Sequence, residues 1–201
     1  MSTTAIAARL VAIYSARRKL IRDAAEAAYQ RVVEQARRPV FFAAYGVPDT
    51  LDGRFEVICL HAFLYLHRLK ADRPHSAALS QAFFDTMFAD LDRALREMGT
   101  GDLSVGKHVK RMARGFYGRI RAYQAGIERD DSALTAALQR NLFGTVSGSA
   151  PRIGATAEYV RATVRELARQ PGPDLLCGHV RFPVPAFSEQ SAELSASGAA
   201  R

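Results

Sequence analysis

The sequence predicts an all-α fold, a single multi-helix domain of about six to eight helices with an irregular C-terminal tail. Three observations carry this. Apolar residues recur at steps of three and four through most of the chain. No stretch shows the period-two alternation of a strand. Pro and Gly thicken only after Gly144, so the helical mass lies before that point. The 201 residues are 48% hydrophobic and 24% charged, enough to bury one substantial core. The expected division is a helical domain over 1–145, a linker, last helix and Pro-rich segment over 146–187 beside it, and a disordered tail over 188–201.

Each element follows from its own pattern. Residues 3–38 read as helix, with Ile6, Leu10, Ile13 and Tyr14, then Leu20, Ile21, Ala24, Ala28, Val32 and Ala36 at helical spacing. A bend near Ser15 would divide it in two, and Pro39 ends it. Residues 40–45 form a short apolar helix or turn. Thr50–Ala71 carries a broad apolar face (Phe55, Ile58, Cys59, Ala62, Phe63, Leu66, Leu69), the mark of a deeply buried helix. Ser76–Met98 shows one stripe through Leu79, Phe83, Met87, Leu91 and Leu95, and Gly99 and Gly101 stop it. Residues 104–129 alternate an apolar stripe (Val105, Val109, Met112, Phe116, Ile120, Tyr123, Ile127) with cations. Its four glycines, Gly106, Gly115, Gly118 and Gly126, cost propensity and imply close helix contacts or a helix held by its packing. Asp130 and Asp131 cap a helix over 132–142. A linker over 145–152 leads to a last helix over 155–170. Residues 171–187, with four prolines, are expected to be extended.

The net charge of +8 is uneven. Residues 1–38 and 99–129 each carry +5, residues 39–98 carry −2, and the remainder is neutral. Such a field favours an anionic partner, whether RNA, acidic protein or acidic membrane. Residues 1–22 hold five cations and no acid, a composition that also fits an amphipathic presequence. No run of about 20 apolar residues could span a bilayer. Cys59 and Cys177 form no metal-type pair, and Cys59 reads as a buried thiol in a reducing compartment.

The motif search argues against catalysis. No HExxH, Walker loop, dinucleotide fingerprint or GxSxG elbow is present, and no Glu-x-x-His pairs suit a di-iron site. His61 and His67, six apart on a helix, face different ways and cannot share a metal. Asp85, Asp90 and Asp92 read as a solvated face with ion pairs to Arg93 and Arg96. A catalytic reading would need a pocket gathering His61, Asp85 and Tyr123. We therefore expect a non-enzyme with no cofactor, no metal and no small-molecule substrate. The candidate contact residues are the cations Lys107, Lys110, Arg111, Arg114, Arg119 and Arg121 on the basic helix. Arg suits bidentate contact with phosphate or carboxylate.

Three segments in order resemble the ubiquinol–cytochrome c chaperone family: FEVICLHAFLYLHRL over 55–69, QAFFDTMFADLDRALREMG over 81–99, and AYQAGI over 122–127 followed by LQRNLF over 138–143. The motif positions are His61, Arg68, Asp85, Asp90, Tyr123, Gly126, Arg140 and Asn141, and the likeness covers about residues 35–145. Gln124 and Ala125 stand where the family tends to carry an acidic pair, and Gln139 where an aromatic is common.

The resemblance implies a helical assembly chaperone for the cytochrome bc1 complex, with newly made cytochrome b as client. It also implies association with ribosomes and a small protein partner. The expected location is cytoplasmic or peripheral to an inner membrane, mitochondrial if the source is eukaryotic. A groove for a client segment would be lined by Phe41, Phe42 and Tyr45. The alternative is a regulator that binds RNA, a ribosome or a membrane surface through the basic helix 104–129.

Overall fold

The computed structural model describes residues 3–99, 101–144 and 148–187. The disordered tail expected over 188–201 lies outside these residues, as do positions 145–147 of the linker. The described chain forms eight helices and no strand: α1 Thr3–Ala36, α2 Val40–Ala43, α3 Leu51–Lys70, α4 Ala77–Glu97, α5 Asp102–Glu128, α6 Asp131–Asn141, α7 Ala150–Arg169 and α8 Gly172–Leu176.

The centre is α3. Eleven of its residues are buried, from Gly53 to Leu69, because its apolar face is broad enough to meet neighbours on several sides. It packs against α1, α4, α5, α7 and α8. Two helix starts behave as their sequences dictate. Thr50 accepts the Gly53 amide at 3.1 Å, and Asp130 accepts the Ala133 amide at 2.8 Å. Each satisfies an otherwise orphaned helix donor.

Three expectations are corrected. No bend divides α1 at Ser15; the helix is continuous. The last long helix begins at Ala150, not 155, because Pro151 sits in its first turn, where a missing N–H costs nothing. The segment after Pro171 is not all extended. Gly172–Leu176 closes into α8, with Pro173 again in the first turn and Asp174 beside the helix donors.

Among the described side chains of α1, those in the core all lie from Ala24 onward. Ala24, Ala25, Ala28, Tyr29, Val32 and Ala36 are buried, whereas every residue from Val11 to Leu20 is exposed.

After α8 the chain turns at Gly178 (φ +82°), where a Cβ would stand 2.2 Å from the Ala24 carbonyl oxygen. Only glycine combines that backbone with that approach. Residues 179–187 then run as a strap across the domain. Gln170 anchors it, its Nε2 donating to the Arg181 carbonyl at 2.7 Å and its Oε1 accepting the Arg181 amide at 3.0 Å.

Candidate functional site

The basic helix α5 sorts its residues by face. Val105, Phe116 and Tyr123 are fully buried, and Lys107, Lys110, Arg111, Arg114 and Arg121 are exposed. Lys110, Arg114, Tyr117 and Arg121 follow one another at steps of four, three and four, which places them along one outer face. Tyr117 is 51% exposed and stacks on Phe84 with ring centroids 5.5 Å apart. Among the described residues none of those five cations forms an ion pair. Arg111 donates to the His108 Nδ1 at 2.8 Å, an exposed contact. The face is thus cationic, with a supported aromatic ring set among the charges.

Arg119 does not share it. Its guanidinium turns inward onto Glu56, Nε donating to Oε2 at 2.5 Å and Nη2 donating to Oε1, and it lies 5.8 Å from the Phe55 ring centroid. Burial holds the Glu56 carboxyl above its ordinary range although Arg119 pulls the other way. Desolvation therefore outweighs the ion pair at that carboxylate. The glycines also divide. A Cβ on Gly126 would stand 2.6 Å from the Leu134 Cα, so α5 and α6 touch there. Gly106 and Gly118 face open space, contrary to the expectation of close packing.

The aromatic residues before the first loop form no open groove. Phe41 and Tyr45 are buried. Phe41 packs edge-on to His61 and Tyr159, and Phe187 of the strap covers Tyr45 at 5.2 Å. Phe42 is half-buried under the Arg54 guanidinium, 5.4 Å from its ring centroid. The open concavity lies elsewhere, between α1 and α4. This groove is about 1200 Å³, with Arg22, Arg37 and Arg93 set against Glu26, Asp85 and Asp90 on its walls.

Most of the motif residues sit in the packing of the fold, while Asp85 and Arg140 are exposed. His61 is fully buried, its Nδ1 2.8 Å from the Val57 carbonyl and its Nε2 2.9 Å from the Tyr159 hydroxyl, and burial lowers its pKa to about 4. Arg68 closes the end of α7, donating to the Leu167 and Gln170 carbonyls and to Asp72. Asp90 accepts from the Tyr29 hydroxyl at 2.9 Å and pairs with Arg93, Asp85 accepts from Gln81, and Asp92 pairs with Arg96. Tyr123 packs on Phe63. Asn141 donates back to the Ala137 carbonyl, and Arg140 is exposed. His61, Asp85 and Tyr123 are not gathered in a pocket: the first and last are core and Asp85 is on the surface.

Sequence reasoning missed Glu56, Tyr117 and Tyr159. An acid inside an apolar helical run was the available signal for Glu56, since a buried carboxylate needs a partner. Nothing local pointed to the pairing of Tyr159 with His61, 98 positions away.

Fold and surface define an all-helical protein with a cationic helix face and an open interhelix groove. Among the described residues no cluster could hold a metal ion, and no helix is long and apolar enough to cross a membrane. The family described as ubiquinol-cytochrome C chaperone matches residues 43–182. The chain belongs to that family, and the match takes in α7, α8 and the first four residues of the strap, well past residue 145. The chain is 31% identical over 163 residues to the ubiquinol-cytochrome c reductase complex assembly factor 1 of Mus musculus, covering 81% of this chain and 55% of that protein. It is 31% identical over 156 residues to the Xenopus laevis counterpart, 78% of each. This chain thus spans about half the length of the mouse relative. The crystal structure of the Cbp3 homolog from Brucella abortus superposes with a TM-score of 0.76 at 35% identity, covering 87% of this chain and 97% of that one.

Proposed function

We propose that this protein is a non-enzymatic assembly chaperone that binds newly made cytochrome b and supports building of the cytochrome bc1 complex. The observation that carries the reading is the family match across residues 43–182, together with relatives named for assembly of that reductase complex. The action is holding. The groove between α1 and α4 exceeds the usual volume of a small-molecule site, and its walls carry both signs of charge. It suits a polypeptide segment with polar flanks better than a small apolar ligand. The outer face of α5 supplies a second contact, with Lys107, Lys110, Arg111, Arg114 and Arg121 available to acidic or phosphate groups.

The test is a crosslinked pulldown from respiring cells with mass spectrometry of the captured proteins. Cytochrome b enriched above other membrane proteins is the expected result. Its loss on Arg111→Glu/Arg114→Glu would assign docking to α5. Absence of cytochrome b from the wild-type capture would sink the reading.

A second reading rests on the same cations and on Tyr117: a regulator that binds RNA, a ribosome or a membrane surface through α5. RNA contact predicts affinity that falls steeply with salt, with a slope reduced by about one for each phosphate-contacting cation removed. An aromatic among cations suits base stacking. Unchanged binding after Arg111→Glu/Arg114→Glu would remove it.

A further inference from the structure

The first half of α1 is unlike any other helical stretch in the described chain. Val11, Ile13, Tyr14 and Leu20 are 65%, 58%, 62% and 69% exposed. Among the described residues, half of the large hydrophobic side chains most open to solvent therefore fall within three turns of one helix. Exposed apolar side chains gathered in this way mark a contact surface. Arg9, Arg17, Arg18, Lys19 and Arg22 are exposed on the same stretch, and no acid occurs before Asp23.

The angular order is informative. At about 100° per residue, Leu20, Ile13, Ile21 and Tyr14 fall within a sector of about 120°. Arg18, Arg22 and Lys19 fill much of the remainder, with Val11 lying between Arg18 and Arg22 outside the apolar sector. Arg17 falls within the apolar sector, and its long side chain can lay its methylenes along the apolar surface and lift its charge out. Arg9 stands at the border. The chain's charge and apolarity are thus combined on one projecting element, while the half that follows, from Ala24, is locked in the core.

We infer that the α1 stretch from Arg9 to Leu20 is a docking surface for an anionic lipid membrane, lying in the headgroup plane with Ile13 and Leu20 inserted and Arg9 and Lys19 on the lipid phosphates, while Arg22 stays on the wall of the α1–α4 groove. This goes beyond the chaperone reading and stands whatever the client is. Charge complementarity decides among occupants. A second copy would set five cations against five across the contact, with only Asp23, already paired with Lys19 at 3.2 Å, to relieve them. RNA would use the cations but would leave Ile13 and Leu20 without an apolar partner. A bilayer interface accepts both, the aliphatic side chains below the phosphates and the cations among them. No described helix can cross the bilayer, so the contact is peripheral.

The experiment is co-sedimentation of the full chain with vesicles of phosphatidylcholine, with and without phosphatidylglycerol. The expected result is binding to the phosphatidylglycerol vesicles only, weakened by salt. Ile13→Ser/Leu20→Ser should lower it by about a hundredfold, since each buried aliphatic side chain is worth about a factor of ten or more. Arg9→Glu/Lys19→Glu should lower it by about fivefold per charge. Lys110→Glu/Arg114→Glu on α5 should leave it unchanged. All these side chains are exposed, so the variants keep the fold.

The chain has no tryptophan, so Leu20→Trp reports insertion by a blue shift of its emission on the anionic vesicles. Four results would overturn the proposal. These are equal binding to pure phosphatidylcholine, binding insensitive to the Ile13/Leu20 pair, no blue shift, or a concentration-dependent dimer that the same pair abolishes. Binding of polyuridylate that is lost with Arg9→Glu/Lys19→Glu, without vesicle binding, would assign the surface to RNA instead.

Discussion

The proton between His61 and Tyr159 belongs to the tyrosine. The His61 Nδ1 donates to the Val57 carbonyl, so its Nε2, 2.9 Å from the Tyr159 hydroxyl, is the bare acceptor. The hydroxyl donates to it and in turn accepts from the Gln35 Nε2 at 2.8 Å. One neutral histidine thus joins α3, α7 and α1.

That arrangement makes stability depend on acid. Burial lowers the His61 pKa to about 4, against about 6.5 in the unfolded chain. Below pH 6.5 the unfolded state binds the proton and the folded state does not. Stability contributed here is therefore full above about pH 6.5 and falls as pH drops toward 4, by roughly 3 kcal/mol at most. Urea melts of wild type and His61→Gln at a series of pH values should differ in slope across that window. A constant difference between the two would contradict the assignment.

The pair of Glu56 and Arg119 gives an asymmetric mutational result. Glu56→Ala leaves the half-buried Arg119 guanidinium without its carboxylate and should cost about 3 kcal/mol. Replacing both, as Glu56→Leu/Arg119→Met, should recover most of that loss. A double-mutant cycle by chemical denaturation measures the coupling. Equal losses in the single and double variants would mean that the packing of these side chains matters more than their charge.

At Gly126 even one methyl group is too large. A Cβ would stand 2.6 Å from the Leu134 Cα and 3.0 Å from its amide nitrogen, both backbone atoms that cannot rotate away. Gly126→Ala should lower stability by about 1–3 kcal/mol. Gly118→Ala, in open space on the same helix, should raise it by a few tenths to 1 kcal/mol through helix propensity. Thermal melts of the two variants should move in opposite directions.

Gln170 is 3% exposed, and its amide makes both contacts to Arg181. Gln170→Ala should cost about 1–3 kcal/mol by leaving the Arg181 backbone groups unpartnered. The strap should also open more often, so trypsin should cut after Arg181 faster than in wild type. An unchanged cleavage rate would show that Phe182 and Phe187 suffice to hold it.

The helices were legible because their signals are local. Asp130 acts as the cap its residue type suggests, and the stripes through Phe83 and Phe116 face inward as their spacing implies. What was not legible depended on distant chain. Phe41 and Tyr45 have the composition of a groove lining and of a core alike; only distant chain makes them core, Tyr159 of α7 against Phe41 and the strap, some 140 residues later, against Tyr45. Arg119 has the same type and spacing as its exposed neighbours and differs only in meeting Glu56. Ile13 and Leu20 recur like core residues yet stand in solvent, because the burying partners of α1 meet only its second half. The groove between α1 and α4 left no mark in either helix alone.

The strap also sets an order on synthesis. Phe182 packs on His61 and Phe187 on Tyr45, so the middle of the domain is roofed by the last described residues. While the chain is still growing from its N-terminus, α1 to α7 can assemble, but their aromatic centre keeps an uncovered side until those residues emerge. A product stopped short of Phe182 would carry His61 and Tyr45 with that roof missing, an apolar blemish that marks an unfinished molecule from a finished one.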